Sequence, residues 1–305
     1  MHKYETTIKN SFTITGIGLH TGESTMVVVE PAPAGSGIIF FKMYEGKKAI
    51  QLRNAKVVST NLSVSIANGG SSIRTVEHIL SAVFALDITN LYIKVFGSEV
   101  PILDGSSCLF VRKFEEVGVQ TQLARRKIAF VMKEVMVEDE DRFVSLKPRS
   151  VKEPVGLKID LKIAFHSSFI GQQGLTLEVN QEVYKTEISK ARTFGFLKDV
   201  SKLRALGLVK GANMSNAVVV GDDGVLNPEG LRFDDEFVRH KALDVIGDLA
   251  VAGYSICANY TGFKPGHTLD CELVKKMLDI PGVVEIKELE ADIKSKEQAR
   301  HYAML

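Results

Sequence analysis

The sequence predicts an α+β fold built of two similar β-rich domains, each carrying a His-bearing helix. Three observations predict it. The chain has 305 residues, long for one hydrophobic core and better matched to two. A strand–loop–strand design, TMVVVEP, PAPAGSG and IIFFK, recurs as RFVSLKP, RSVKEPVG and LKIDLKI, each pair joined through a Pro/Gly loop. Each half then carries a His-bearing helix running into a strand: TVEHILSAVFALDITN into LYIKVFG, and VRHKALDVIGDLAVAG into YSICANY. Identity between the halves is slight, so what repeats is the order of elements.

The first domain is expected over residues 1–124 and the second over 125–305, with the boundary in the polar stretch TQLARRK at 121–127. Extra sequence sits in each half: MYEGKKAIQLRNAKVVSTNLSVSIANGG in the first, and TFGFLKDVSKLRALGLVKGANMSNAVVVGDDG in the second. In the first helix Val76, Ile79, Leu80, Val83 and Phe84 fall on one apolar stripe,. Glu77 and His78 lie off it in the first turn, with Thr75 placed as an N-cap,. In the second, Ala242, Val245, Ile246, Leu249 and Ala250 form the stripe, while His240, Asp244 and Asp248 follow one another at intervals of four on the other side,. Leu243, Gly247 and Val251 border that polar row and keep it narrow. Its carboxylates are therefore expected to be half-buried and to need partners.

Composition excludes several classes. A net charge of +1 supplies no field for nucleic acid or acidic membranes. The apolar runs are broken by charges and the N-terminal stretch is polar, so neither a membrane-spanning helix nor a signal peptide is expected. Three scattered cysteines without a CxxC pair point to a reducing cytoplasm and away from a cysteine metal cage. The P-loop and dinucleotide glycine patterns and the GxSxG elbow are all missing from their required contexts,. Metal-assisted hydrolysis is the chemistry left.

A catalytic metal site wants three N/O ligands and one open position. His240 and Asp244 offer two from one helix, and His78 is the natural third if the helices pack together. Glu77 would then lie where a general base belongs. Each pair alone reads first as a solvated or structural row; only the combination on two helices puts the metal reading level with it, and on spacing the two stay open. His267, in the loop FKPGHTLD, is either a surface histidine or a group held for chemistry, with Asp248 able to pair with it,. His20 in GIGLHTGE reads as a turn residue.

At this point the sequence resembles a known family. TVEH at 75–78, PILDGSS at 101–107, ARTFGF at 191–196, NPEGLRF at 227–233, EFVRHKALDVIGDL at 236–249 and FKPGHTL at 263–269 are similar, in order along nearly the whole chain, to the UDP-3-O-acyl-N-acetylglucosamine deacetylases. These are zinc amidohydrolases of lipid A synthesis in Gram-negative bacteria, and the resemblance implies their fold: two similar α+β domains, each a helix layer packed on a sheet, with the active site between them. The resemblance implies one zinc ion on His78, His240 and Asp244, with iron or cobalt also suited to such a set. It implies Glu77 as general base, and His267, oriented by Asp248, as the cation that stabilises the intermediate and protonates the leaving amine. Thr193 would help hold the oxyanion and Lys241 would contact substrate phosphate. Phe165, Lys147 and Lys264 would lie near the nucleotide. Phe194, Val200, Leu203 and Val219 fit an acyl-chain passage built by the insert around 194–222. The partner implied is a UDP-linked acyl amino sugar, handled in the cytoplasm. One departure stands out: Ser63 occupies a position where some members carry a cysteine that binds surplus metal. Two other readings remain: a nucleotide-sugar-binding relative without catalysis, and a different metallo-amidohydrolase, although HExxH is absent.

Overall fold

The computed structural model describes residues 2–44 and 48–289; the end of the expected second domain, 290–305, lies outside the described residues. The first half opens with β1 (Tyr4–Ile8), β2 (Phe12–Ile17), β3 (Ser24–Pro31), β4 (Ile38–Lys42) and β5 (Lys48–Gln51). A three-stranded sheet of β6 (Lys56–Ser59), β7 (Ser65–Asn68) and β8 (Ser71–Arg74) follows. Then come α1 (Glu77–Ala85), β9 (Leu91–Phe96), α2 (Cys108–Val117) and β10 (Val119–Arg125). The second half runs through β11 (Lys127–Val131), β12 (Val135–Asp139), β13 (Arg142–Lys147), β14 (Leu157–Ala164) and β15 (Gln172–Glu178). It continues with the short α3 (Gln181–Val183), β16 (Phe194–Phe196), α4 (Leu197–Ala205) and β17 (Val218–Val220). It closes with α5 (Glu236–Leu249), β18 (Ser255–Phe263), α6 (His267–Asp279) and β19 (Val284–Glu288).

TMVVVEP and IIFFK form β3 and β4, but they are not neighbours. β9 enters between them, antiparallel to β3 and parallel to β4, giving the order β2-β3-β9-β4-β5. In the second half β18 takes the same place, antiparallel to β13 and parallel to β14, with β12 and β15 outside them. Order and direction therefore repeat strand for strand, although the residues do not. Along β3 and β9, Val27, Val29, Ile93 and Val95 are fully buried while Val28 and Lys94 face outward, the alternation of a sheet with one covered face. Phe114 of α2 meets Phe12 of β2 edge to face at 5.2 Å and pins a helix to that face. Residues 121–125 of the expected boundary belong to β10, which pairs with β1. The chain turns at Arg126, buried and ion-paired with Asp87 at 2.7 Å.

The helices meet at the centre, α1 against α5. One apolar stripe on each was expected, yet eight of the nine residues of α1 and twelve of the fourteen of α5 are buried, because each helix covers the polar side of the other. The carboxylates of Asp244 and Asp248, expected half-buried, are only 4% and 0% exposed, and His240 beside them 2%. The contact is close at Gly247, where a Cβ would lie 2.2 Å from the carbonyl oxygen of Glu77. The Ser81 hydroxyl donates to the Leu243 carbonyl at 2.9 Å and ties the seam. Thr75 does not cap α1. Its φ is +57°, its hydroxyl donates to Glu99 at 2.7 Å, and Val76 stands at the N-cap without a side-chain bond. Among the described residues no helix is long and apolar enough to cross a membrane.

Candidate active site

Three helices converge where the halves meet. The first turn of α1 brings His78, α5 brings His240 and Asp244 one turn apart on one face, and α6 begins with His267. His240 Nε2 lies 3.4 Å from Asp244 Oδ1, and His78 Nε2 lies 4.0 Å from it. All three residues are buried, and their ligand-type atoms fall within 4.8 Å of one another, the one such group of three among the described residues. His240 Nδ1 donates to the Ala191 carbonyl at 3.1 Å, which leaves the Nε2 lone pair facing Asp244. Burial, then the neighbouring His240, pushes His78 down to about 3. Burial likewise lowers His240. For Asp244, burial favours the proton but is outweighed by His240 and Lys241, so its carboxyl stays well below the usual range. Two neutral imidazoles and one carboxylate form a donor set that fits a divalent cation.

Beside this triad stand two groups with opposite proton preferences. Burial pushes Glu77 up to about 8, against the pull of His267. Its Oε2 accepts the Val64 amide at 3.0 Å, which fixes the carboxylate's direction. His267 Nδ1 lies 2.8 and 2.9 Å from the oxygens of Asp248. Burial opposes charge on this imidazole, but Asp248 outweighs it and raises His267 to about 10. At neutral pH the site thus holds an imidazolium beside a carboxyl whose proton affinity burial has raised.

A cavity of about 430 Å³ opens over the triad, with His78, His240, Asp244, His267, Lys241 and Thr193 in its wall. Thr193 is held from both sides: its amide donates to Gly105 at 2.7 Å and its carbonyl accepts from Val218 at 2.8 Å. Gly105 has φ +84°, and a Cβ there would meet the Asn216 carbonyl at 2.1 Å, so glycine alone fits this turn,. Phe165 and Phe194 line the cavity edge to face at 5.6 Å, and Val200, Leu203 and Val219 make its apolar wall. Lys241 Nζ pairs with Asp244 at 2.8 Å and lies over the Phe194 ring.

Two lysines lie elsewhere. Lys264 is ion-paired with Asp141, Lys147 with Glu134 at 3.2 Å, and neither lines the cavity. Lys147 sits opposite Asn259, four residues along β18 from Phe263, roughly 13 Å away at strand rise. The cation that does line the cavity on this side is Arg142, the first residue of the same strand. The turn bearing His20 also opens on the cavity. From the sequence His20 reads only as a turn residue and Arg142 carries no local signal; what places Arg142 is strand register, which pairs its neighbour Phe143 with Phe263 beside the His267 loop. Ser63 is buried, with its hydroxyl bonded to Arg74 Nε at 3.0 Å. A larger cavity, about 600 Å³, opens at the other ends of α1 and α5 beside Phe84, Leu249 and Tyr254, and none of the site residues lines it.

Comparison with known proteins agrees with this arrangement. The family model described as LpxC, UDP-3-O-acyl N-acetylglycosamine deacetylase, matches residues 5–279. The chain is 42% identical over 300 residues to the UDP-3-O-acyl-N-acetylglucosamine deacetylase of Sulfurimonas denitrificans, covering 98% of this chain and 100% of that one. It is 39% identical to the enzyme of that name from Campylobacter fetus subsp. fetus, with 98% and 99% covered. It is 40% identical to that of Syntrophotalea carbinolica, with 90% and 88% covered. By the match along its length and by these full-length relatives, the chain belongs to the UDP-3-O-acyl-N-acetylglucosamine deacetylase family.

Proposed function

We propose that the protein hydrolyses the acetamide of UDP-3-O-acyl-N-acetylglucosamine to the free amine and acetate, in lipid A synthesis. The observation that carries this reading is the convergence of His78, His240, Asp244 and His267 at the wall of a partly apolar cavity, with Glu77 buried behind that wall next to His78 in the first turn of α1. The relatives' names supply the substrate. His78, His240 and Asp244 would hold one zinc ion, and iron suits the same donors. Such an ion, when bound, supplies Lewis acidity, which polarises an amide carbonyl and makes a neighbouring water more acidic.

The chain's own residues divide the remaining work. Glu77, its direction fixed by the Val64 amide, would be ionised beside a bound divalent cation and accept a proton from the attacking water. Thr193 donates its hydroxyl to the oxyanion that forms as water adds to the carbonyl carbon. His267, kept charged by Asp248, faces that negative charge and then gives its Nε2 proton to the departing nitrogen as the C–N bond breaks. Asp248 holds Nδ1 and so fixes which nitrogen delivers the proton. Phe165, Phe194, Val200, Leu203 and Val219 shelter the 3-O-acyl chain. Lys241 offers charge to phosphate. Lys147 and Lys264, outside the cavity wall, would reach the nucleotide by rotation of their long side chains.

In the same reading the two units divide at 124/125, the enzyme works in the cytoplasm on a small molecule, and nucleic acid is no partner. The test is metal analysis of the purified protein together with acetate release from the UDP-linked acyl amino sugar, with and without chelator. Turnover tracking one equivalent of metal supports the reading; full turnover by metal-free protein refutes it.

A further inference from the structure

Thr75 precedes the α1 start by two residues and has φ +57°, a conformation rarely adopted by a β-branched residue. Something must hold it there. The candidate is Glu99, 1% exposed, whose Oε1 accepts the Thr75 hydroxyl at 2.7 Å. The same carboxylate accepts the His20 amide at 3.0 Å, and the Thr21 amide and hydroxyl, each at 2.9 Å. Gly18 leaves room for it, since a Cβ there would stand 2.3 Å from Glu99 Oε2. The backbone on either side is zipped: Arg74 donates to Ser98 and accepts from Val100, both at 3.0 Å. One buried carboxylate therefore joins the segment presenting His20 to the residue that sets the entry of α1. Immediately after that entry, Glu77 binds the Val64 amide and Val76 donates to the Val64 carbonyl at 3.3 Å.

We infer that Glu99 is a positioning residue for the reaction: by holding Thr75 in its left-handed conformation it aims the Glu77 carboxylate into the site. Neither Glu99 nor Thr75 lines the cavity, so the effect passes through the backbone. This rests on Glu77 being the general base. Glycine adopts positive φ freely, so Thr75→Gly should keep the entry geometry without the hydroxyl. Thr75→Val keeps the shape and the strain but loses the bond. Glu99→Gln places an amide donor among donors and cannot satisfy them all.

The experiment measures kcat, KM, metal content and hydrogen exchange at the Val64 amide in E99Q, T75V, T75G and E99Q/T75G. E99Q and T75V are expected to lose about 10- to 100-fold in kcat, with KM and metal content unchanged and faster Val64 exchange. T75G is expected near the wild-type rate, and E99Q/T75G is expected to recover most of what E99Q lost. An effect of Glu99 on general stability alone would not be relieved at position 75. If E99Q fails to fold, T75V against T75G carries the test. Wild-type turnover by E99Q or T75V, T75G as slow as T75V, or no recovery in the double variant overturns the inference. Wild-type protein without deacetylation would unseat the proposed function instead, and the Val64 exchange pattern still tests the coupling.

Discussion

Gly247→Ala sets two known effects against each other. In the interior of a helix, replacing glycine by alanine is favourable by about 1 kcal/mol. At this position the new Cβ would lie 2.2 Å from the Glu77 carbonyl oxygen, 2.8 Å from its carbon and 2.9 Å from its Cα. All three are backbone atoms, so no side chain can rotate away. Ordinary contact begins at 3.4 Å, so α1 and α5 must part by about 1 Å, an overpacking that costs about 3 kcal/mol or more when the backbone has to move. Clash outweighs propensity, leaving a loss of about 2 kcal/mol and a fall in Tm of about 4 °C. The same displacement separates His78 from His240 and Asp244, and metal coordination tolerates only about 0.2 Å. Metal affinity should fall on the order of 10- to 100-fold, as for lost support of a ligand. Thermal unfolding by circular dichroism and metal content after dialysis against a zinc buffer check both. A Tm at or above wild type, or full metal occupancy, would refute the close-seam account.

Further outcomes follow from the site. Glu77→Gln should keep its metal and lose at least about 10² in turnover, read by acetate release and metal analysis. Asp244→Ala should instead lower the metal content itself, measured after the same dialysis. His267 has its proton affinity raised from 6.5 to about 10 by folding, burial being outweighed by Asp248. The stability from its charge is therefore complete below pH 6.5 and lost as pH rises through about 10. Asp248→Asn should move that loss, and the alkaline limb of the rate profile, to lower pH; an unmoved limb would show that Asp248 does not set it. Leu203→Trp should raise KM for long acyl chains more than for short ones, since Leu203 lines the apolar wall. Ser63, buried and bonded to Arg74, should leave surplus zinc a weak inhibitor, checked by titration past one equivalent.

The parts of this molecule legible in the sequence are those written in local spacing. His240 and Asp244 share a helix face by their interval alone, and the His-bearing helices followed by strands announce the two sheets that repeat each other's strand order. What pairs with what across the chain was harder. The loops after β3 and β13 read as simple connections, yet a later strand enters between the two each one joins, because the inserted strand supplies a central, doubly paired position no local signal marks. Thr75 has the residue type of a helix cap but serves Glu99, whose partnership spans 24 residues. Lys147 and Arg142 lie on one strand, and only its register against β18 decides which end faces the cavity. The depth of burial of Asp244 and Asp248 was underestimated because a helix considered alone has a wet side, whereas α1 closes this one.

The candidate triad takes one residue from the N-terminal half and two from the C-terminal half. A cation seated there would also be a rivet across the seam between α1 and α5. Because it binds only the assembled pair, at a thousand times its dissociation constant it adds about 4 kcal/mol to the cohesion of the whole chain. Metal starvation would then do more than silence the protein: it would loosen the join between its halves and hand the chain to proteases.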